Sequence, residues 1–238
     1  MTKPKILPKN VGILGGMGPD ATVYLFDRIV RYTVADSDQE HIPINILNWP
    51  QIPDRTMAVF GNGADPLPLV QKGIDQLAAN GSDLIAIPCV SIHYFFDRIQ
   101  IPRKVELFNI LNVTAENTCI NYPKIRRVGI LGTDLTVKKN LCSHAFHQQS
   151  VDVMVPSAED QTNLVMKAIY QVKAGLRKEP KELLIKAIHR LKKQGAEAII
   201  SGCTEIPIVI QENDISLPFI DCLDSLARAV IQKALPHH

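Results

Sequence analysis

The sequence has almost no excess charge, no long apolar run and no closely paired cysteines. Lys and Arg total 26 and Asp and Glu total 24 in 238 residues, so we expect no nucleic-acid partner. The longest nearly apolar run, residues 84–92, is about half of what a membrane-spanning helix needs. Residues 1–10 lack the apolar segment of a secretion signal. We therefore expect a cytoplasmic protein with no membrane partner.

The cysteines are too scattered for a metal site or a disulfide framework. No two of them form a C-x-x-C pair, and their total is odd, which favours reduced thiols over bound zinc. The five positions are Cys89, Cys119, Cys142, Cys203 and Cys222. We predict no metal site.

Short apolar runs alternate with longer amphipathic segments along the chain. The runs VGIL (11–14), PINILNW (43–49) and DLIAIP (83–88) are each followed by a segment with helical patterning. Strands that alternate with helices at this spacing predict βαβ units and parallel sheets. The expected fold class is α/β, with flavodoxin-like βα lobes.

The two halves of the chain resemble each other. VGIL at 11–14 returns at 128–131, and NGSDLIAIPC (80–89) is echoed by QGAEAIISGC (194–203). The glycine of each longer segment stands eight residues before its cysteine. This pattern is typical of an internal duplication.

The duplication predicts two pseudo-symmetric lobes with an active site in the cleft between them. We expect an N-terminal lobe of residues 1–105, joined by residues 215–238, and a C-terminal lobe of residues 106–214. Ligands of open α/β sheets bind at the carboxyl ends of the strands. A cleft that both lobes line with these ends is therefore the expected binding site.

The stretch VGILGGMGPDAT (11–22) has the spacing of a dinucleotide-binding loop. Gly16, Gly18 and Ala21 fit the G-x-G-x-x-A pattern. However, the second predicted strand ends near Asn48 without the acidic residue that would hold a ribose. We interpret the turn as backbone amides that line a cleft for a small anion.

Cys89 and Cys203 follow predicted buried strands at matched positions of the two halves. A lone cysteine is more often a core residue, but the matched positions favour a shared cleft. A strand-to-helix turn is expected to lower the thiol pKa. One thiolate can then remove an α-proton while the opposing thiol returns a proton to the other face. The predicted reaction is racemisation or epimerisation without a cofactor.

Five motifs spread over the chain resemble the aspartate racemase branch of the aspartate/glutamate racemase superfamily. They are GILGGMGPDAT (12–22), IPDRT (52–56), IPC…H (87–93), IYQVKAG (169–175) and SGCTEIP (201–207). The resemblance implies a cofactor-independent amino-acid racemase, often a homodimer, with Cys89 and Cys203 as the acid/base pair. It also implies an acidic amino-acid substrate, aspartate in preference to glutamate.

The resemblance assigns basic and hydroxyl residues to the substrate. Arg55 and Lys173 match positions that hold the side-chain carboxylate in the family, a role that suits two cations. Hydroxyl residues match positions around the substrate amino and carboxylate groups, although elsewhere such residues are often helix caps. These hydroxyl residues are Ser91, Thr133, Thr136 and Thr204.

The remaining candidates carry weaker signals. Met17, in the first motif, is predicted to contact the substrate. Glu205 can hold the substrate ammonium group, orient a thiol or complement a helix dipole. His93 is either an ordinary helix residue or close to the chemistry. The other three cysteines have no duplicated counterpart and are predicted to be structural.

Val90 departs from the family pattern, in which Asn-Thr usually follows the first cysteine. Here Val90 and Ser91 take these places, so both are predicted to contact the substrate. An anion short of one donor loses about 1.5–3 kcal/mol. Either another donor compensates or the substrate differs. A racemase or isomerase of another small acid or a hydantoin, and a binding protein without turnover, therefore stay open. The two cysteines, with Arg55 and Lys173, favour an acidic amino-acid racemase.

Overall fold

A computed structural model describes residues 8–235 and contains two sheets of four parallel strands. The first sheet consists of β1 (Val11–Gly15), β2 (Ile44–Asn48), β3 (Leu84–Ala86) and β4 (Glu106–Leu107). The second consists of β5 (Arg127–Gly132), β6 (Asp152–Met154), β7 (Ala198–Gly202) and β8 (Phe219–Asp221). Their orders, β2-β1-β3-β4 and β6-β5-β7-β8, are equivalent. The predicted α/β class with two similar lobes is confirmed.

Helices cover both faces of the sheets. They are α1 (Pro19–Tyr32), α2 (Arg55–Phe60), α3 (Leu67–Ala79), α4 (Ile110–Asn121), α5 (Asp134–Lys138), α6 (Ser143–Gln148), α7 (Ala158–Asp160), α8 (Lys167–Lys173), α9 (Lys178–Gln194) and α10 (Cys222–Ala234). A π-helical segment, Gln161–Met166, joins α7 to α8. The 3₁₀ helices cover Asp38–Glu40, Ser91–Arg98, Ile206–Ile208 and Glu212–Asp214.

The strand register of the two sheets shows the duplication at the level of single residues. The first valine of each VGIL tetrad pairs with Leu84 in the first sheet and with Ala198 in the second. Cys89 follows Leu84 by five residues, and Cys203 follows Ala198 by five residues. The two cysteines therefore lie at equivalent positions after equivalent strands.

A shared apolar core joins the two sheets. Alternate residues of a strand face the same side of its sheet, so Val11 and Ile13 of β1 contact the same buried cluster as Val128 and Ile130 of β5. Leu226 of α10 belongs to this cluster, which we call the shared core. Separate clusters cover the outer face of the first sheet with α3 and that of the second with α9.

The C-terminal segment contributes to both lobes. Its strand β8 pairs with β7 of the second sheet, whereas α10 packs against α1 and α4. Strand β4 begins at Glu106 and pairs with β3 of the first sheet. The division into residues 1–105 with 215–238 and residues 106–214 stays a prediction.

Between residues 8 and 235, no helix is long and apolar enough to cross a membrane. The prediction that residues 1–10 hold no secretion signal concerns mostly residues outside the described part, which begins at residue 8.

Candidate active site

The residues predicted to form the site mostly follow the carboxyl ends of four central strands. Residue 17 follows β1, residues 89–91 follow β3, residues 133 and 136 follow β5, and residues 203–205 follow β7. The side chains at all of these positions are buried. The carboxyl edges of both sheets thus carry the predicted site residues, as expected for an α/β fold.

Three hydroxyl groups connect the loops that carry the two cysteines. The Oγ of Ser91, two residues after Cys89, lies 2.9 Å from the Oγ1 of Thr133 on the other lobe. Thr133 Oγ1 lies 3.2 Å from Thr136 Oγ1, which donates over 3.5 Å to the carbonyl of Gly202, the residue before the second cysteine. The two cysteine loops therefore meet at one place between the sheets.

Thr133 has a second role as a helix cap. Its side chain accepts a hydrogen bond from the backbone N–H of Thr136 and so begins α5. The capping interpretation and the proximity to the cysteine loops thus hold for the same residue.

The thiol of Cys203 lies against a carboxylate. Its Sγ donates a 2.8 Å hydrogen bond to Glu205 Oε2, and Thr204 Oγ1 donates to the same oxygen over 3.3 Å. Burial raises the pKa of the Cys203 thiol well above its usual value, and the charge of Glu205 raises it further. The predicted lowering of this pKa is wrong, because these two effects outweigh the nearby positive charge of Lys173.

Cys89 is held through its backbone by His93. The backbone N–H of Ile110, at the start of α4, donates to His93 Nε2 over 3.1 Å. Because Nε2 accepts, the ring proton lies on Nδ1, which donates over 2.9 Å to the Cys89 carbonyl. Burial lowers the pKa of His93 to about 4, so the ring is neutral at pH 7. His93 therefore fixes the Cys89 loop to α4.

Neutral backbone carbonyls hold the positively charged side chain of Arg55 in place. Its Nη2 donates to the Met17 carbonyl over 3.0 Å and its Nη1 to the Pro53 carbonyl over 3.1 Å. Its buried Nε has no hydrogen-bond partner among residues 8–235. The side chain of Asp54 caps α2, which begins with Arg55. The Nε donor is thus available to a bound anion.

Lys173 approaches the same place from the second lobe. It ends α8 and is exposed to solvent. Burial lowers its pKa, but the negative charge of Glu205 and the electrostatic effect of Cys203 outweigh this, so the pKa of Lys173 is raised. Arg55 also acts electrostatically on Lys173, so the structure brings together two cations from different lobes.

Val90 and Met17 contribute apolar surface. Val90 is 2% exposed and belongs to the shared core, together with Phe108 and Ile110. Met17 is buried in the same outer cluster as Cys89. The predicted contact of Val90 with a substrate stays a prediction, as do the substrate contacts of the other residues.

The glycine turn after β1 allows close packing against Trp49 and also lies beside the cleft. Gly16 has φ +96°, and a Cβ there would overlap the backbone of Trp49. Its N–H donates to Thr22 Oγ1 over 3.0 Å, so this amide is not free for an anion. A Cβ on Gly18 would lie 3.5 Å from Glu205 Oε1, which places Gly18 beside the second cysteine loop.

Sequence reasoning missed Gln161, a buried residue of the π-helical segment. Its Nε2 donates over 3.0 Å to both the Gly132 carbonyl and Asp134 Oδ1, the neighbours of Thr133 on either side. A π turn often marks a functional site. The contact spans almost 30 positions of sequence, so spacing gave no signal for it.

The three cysteines predicted to be structural lie in or against the shared core. Cys142 and Cys222 are buried there, and Cys119 packs against it. Burial raises the pKa of Cys142 to about 12, which keeps this thiol protonated. Among residues 8–235, no group of His, Cys, Asp and Glu side chains is placed to hold a metal ion.

Comparisons with known proteins agree on one family. The sequence model described as Asp/Glu/Hydantoin racemase matches residues 14–230. The chain is 25% identical to the broad specificity amino-acid racemase RacX of Bacillus subtilis (strain 168), over 95% of this chain and 99% of that protein.

Two solved structures share the fold. Aspartate racemase of Picrophilus torridus is 30% identical and has a TM-score of 0.84, with 95% of this chain and 94% of that one covered. An aspartate racemase homologue from Pyrococcus horikoshii OT3 has a TM-score of 0.76 at 24% identity, over 95% of this chain and 99% of that one.

Proposed function

The chain belongs to the Asp/Glu/Hydantoin racemase family, which includes amino-acid racemases that need no pyridoxal phosphate, and on this premise we propose that it racemises an acidic amino acid. We propose aspartate in preference to glutamate, and Cys89 and Cys203 as the two bases. The observation that carries the proposal is their equivalent position five residues after paired strand residues, in loops that the hydroxyls of Ser91, Thr133 and Thr136 connect.

The proposed reaction moves one proton at each face of the α-carbon. The Cys89 thiolate takes the α-proton, so that the C–H bond breaks and an S–H bond forms. The Cys203 thiol gives its proton to the opposite face, which forms the new C–H bond and leaves a thiolate. In the reverse direction Cys203 must start as a thiolate. Glu205 already accepts the hydrogen bond of the Cys203 thiol, and it is the group that accepts the Cys203 proton.

The proposed binding mode uses the charges on both lobes. Arg55 and Lys173 hold the side-chain carboxylate, since charge-assisted hydrogen bonds from two cations favour a diacid. The α-carboxylate and ammonium groups are held by the hydroxyl groups and the carboxylate at the strand ends, with an apolar side chain as one wall. These groups belong to Ser91, Thr133, Thr136, Thr204, Glu205 and Met17.

One observation favours a second candidate, a racemase with broader specificity. Val90 is apolar and buried, and the relative in Bacillus subtilis is named for broad specificity. A substrate without a second carboxylate would need neither cation. Comparing aspartate, glutamate, alanine and a hydantoin under the same conditions separates the two candidates.

Exchange of the α-proton in heavy water tests the proposal. The wild type should incorporate deuterium into aspartate and racemise it, with no loss of rate after treatment with a chelator. Cys89→Ala and Cys203→Ala should each lose racemisation, while exchange of one enantiomer can survive because one thiol remains. Cys119→Ala, outside the site, is the matched control. Full racemisation in either site variant would contradict the two-base mechanism, and binding of aspartate without exchange would indicate a binding protein.

The family resemblance also supports a homodimer and a cytoplasmic location, which we include in the proposal. Sedimentation equilibrium tests the dimer, with a single species at the mass of one chain as the contrary result.

A further inference from the structure

A partly buried hydrogen bond connects α1 to the end of β8. Tyr24 Oη donates over 2.7 Å to Asp221 Oδ2 and accepts over 2.9 Å from Arg28 Nη2. The other carboxylate oxygen of Asp221 accepts from the Leu223 N–H and caps α10. Asp221 is only 8% exposed. The bond joins α1, which follows β1 of the first sheet, to β8 of the second sheet.

Each partner lies next to a part of the site. Helix α1 begins at Pro19, directly after Gly18, which lies beside Glu205. Asp221 pairs in register with Ser201 of β7. Ser201 Oγ donates over 3.2 Å to the Cys203 carbonyl. The bond thus connects the glycine turn of one lobe to the strand that carries the cysteine of the other.

We infer that the Tyr24–Asp221 hydrogen bond is a positioning contact that sets the separation of Cys89 and Cys203 across the cleft. The inference rests on the proposed two-thiol reaction, in which both thiols must reach one α-carbon. Removal of a proton from one face needs only one thiol in place, whereas inversion needs both. A shift between the lobes should therefore harm inversion more than exchange.

Charged and aromatic groups pack around this contact. Arg28 Nε lies 3.1 Å from Asp224 Oδ1, and Tyr32 Oη donates to Asp224 Oδ2 over 2.9 Å. The Arg228 guanidinium lies over the Tyr32 ring at 4.5 Å. Burial, and next the charge of Asp221, raise the pKa of Tyr24, so its hydroxyl stays a donor. Burial and the charge of Asp224 raise the pKa of Asp221 to about 7.

Tyr24→Phe removes the hydroxyl and keeps the ring, and Tyr32→Phe is the matched control. Tyr32 lies in the same network on the same helix but bonds to Asp224 and not to Asp221. For aspartate in heavy water, Tyr24→Phe should slow inversion roughly tenfold or more, since small misplacements of reacting groups are costly. Deuterium entering the recovered starting enantiomer should stay near the wild-type rate. Tyr32→Phe should leave both rates near wild type.

A second measurement needs no substrate. Alkylation of each cysteine by iodoacetamide, followed by peptide mass spectrometry, should be faster at Cys89 and Cys203 in Tyr24→Phe and unchanged in Tyr32→Phe. If the wild type neither exchanges nor racemises any amino acid, the proposed function fails, and the alkylation rates alone decide the positioning role. Unchanged alkylation in Tyr24→Phe overturns the inference. Equal losses of exchange and inversion, or equal effects of the two variants, overturn it as well.

Discussion

The Sγ of Cys203 donates a hydrogen bond to Glu205 Oε2 over 2.8 Å. The equivalent cysteine of the other lobe, Cys89, is held instead through its backbone carbonyl by His93. The two halves therefore repeat the position of the cysteine but not its partner. A reaction that uses both thiols is therefore expected to depend on Glu205 through Cys203 and not through Cys89.

Glu205→Gln should have two separable effects. Because the charge of Glu205 raises the pKa of the Cys203 thiol, the variant should shift the alkylation of Cys203 to lower pH. Because the group that accepts the Cys203 proton is lost, kcat/KM for racemisation should fall roughly 10²- to 10⁴-fold, and equally from both enantiomers, because the equilibrium constant of a racemisation is one. Initial rates from each enantiomer of aspartate, with the pH dependence of alkylation, measure both effects.

Glu212→Gln is the matched control for this variant. Glu212 is exposed in the 3₁₀ helix Glu212–Asp214, seven positions further along the chain. Wild-type rates from both enantiomers in Glu205→Gln would show that Glu205 accepts no proton during turnover.

Lys173→Gln should weaken the turnover of aspartate selectively. If Lys173 binds the side-chain carboxylate, kcat/KM for aspartate should fall roughly 10- to 100-fold, the value of one charge-assisted hydrogen bond. Alanine, which lacks that carboxylate, should be affected little. Lys167→Gln is the control, because Lys167 begins the same helix and faces Glu179 at 3.7 Å. Equal losses for the two substrates would contradict the assignment.

His93→Gln should change how stability depends on pH. The pKa of His93 is lowered by burial to about 4, against 6.5 for a free imidazole. Below pH 6.5 the unfolded chain binds a proton that the folded chain does not, so this stabilisation is complete above pH 6.5 and is lost as the pH falls towards 4. The difference in unfolding free energy between wild type and variant should shrink by on the order of 3 kcal/mol over this range.

Urea unfolding of both proteins between pH 4 and 8 measures that difference. Asp221 contributes a dependence of opposite sign, because its pKa is raised to about 7, but this is common to both proteins and cancels. Parallel curves for wild type and variant would show that His93 titrates normally in the folded state.

The sequence predicted the strands and the placement of the two cysteines because both follow from local, repeated patterns. The VGIL tetrads form β1 and the centre of β5, and the matched spacing of Cys89 and Cys203 reappears as equivalent register. A buried parallel strand is marked by its own short apolar run. No knowledge of distant contacts was required.

Contacts between distant residues could not be predicted in this way. The expected lowering of the Cys203 pKa assumed a helix behind the thiol, but only the three-residue 3₁₀ helix Ile206–Ile208 follows. Burial and the tertiary placement of Glu205 determine the pKa instead. The Tyr24–Asp221 bond spans 197 positions. Such pairs depend on how the lobes pack.

Val90→Asn tests the one position where the sequence leaves the pattern of its family. Val90 is 2% exposed and shares the apolar core with Phe108 and Ile110. A buried amide that finds no partner there should lower the unfolding free energy by about 1–3 kcal/mol. We expect no gain in aspartate turnover. Urea unfolding and the initial rate of aspartate racemisation, measured on the same preparation, check both expectations.

Val90→Thr is the control that separates the cost of a polar group from the cost of altered shape, because threonine keeps the shape of valine and replaces one methyl group with a hydroxyl. If the polar group itself destabilises the apolar core, both variants should lose stability and neither should gain activity. A rise of roughly tenfold or more in kcat/KM for aspartate in Val90→Asn, the value of one recovered charge-assisted bond, would contradict this expectation. It would mean that the side chain at position 90 reaches the substrate, and that this chain works with one carboxylate donor fewer than its relatives.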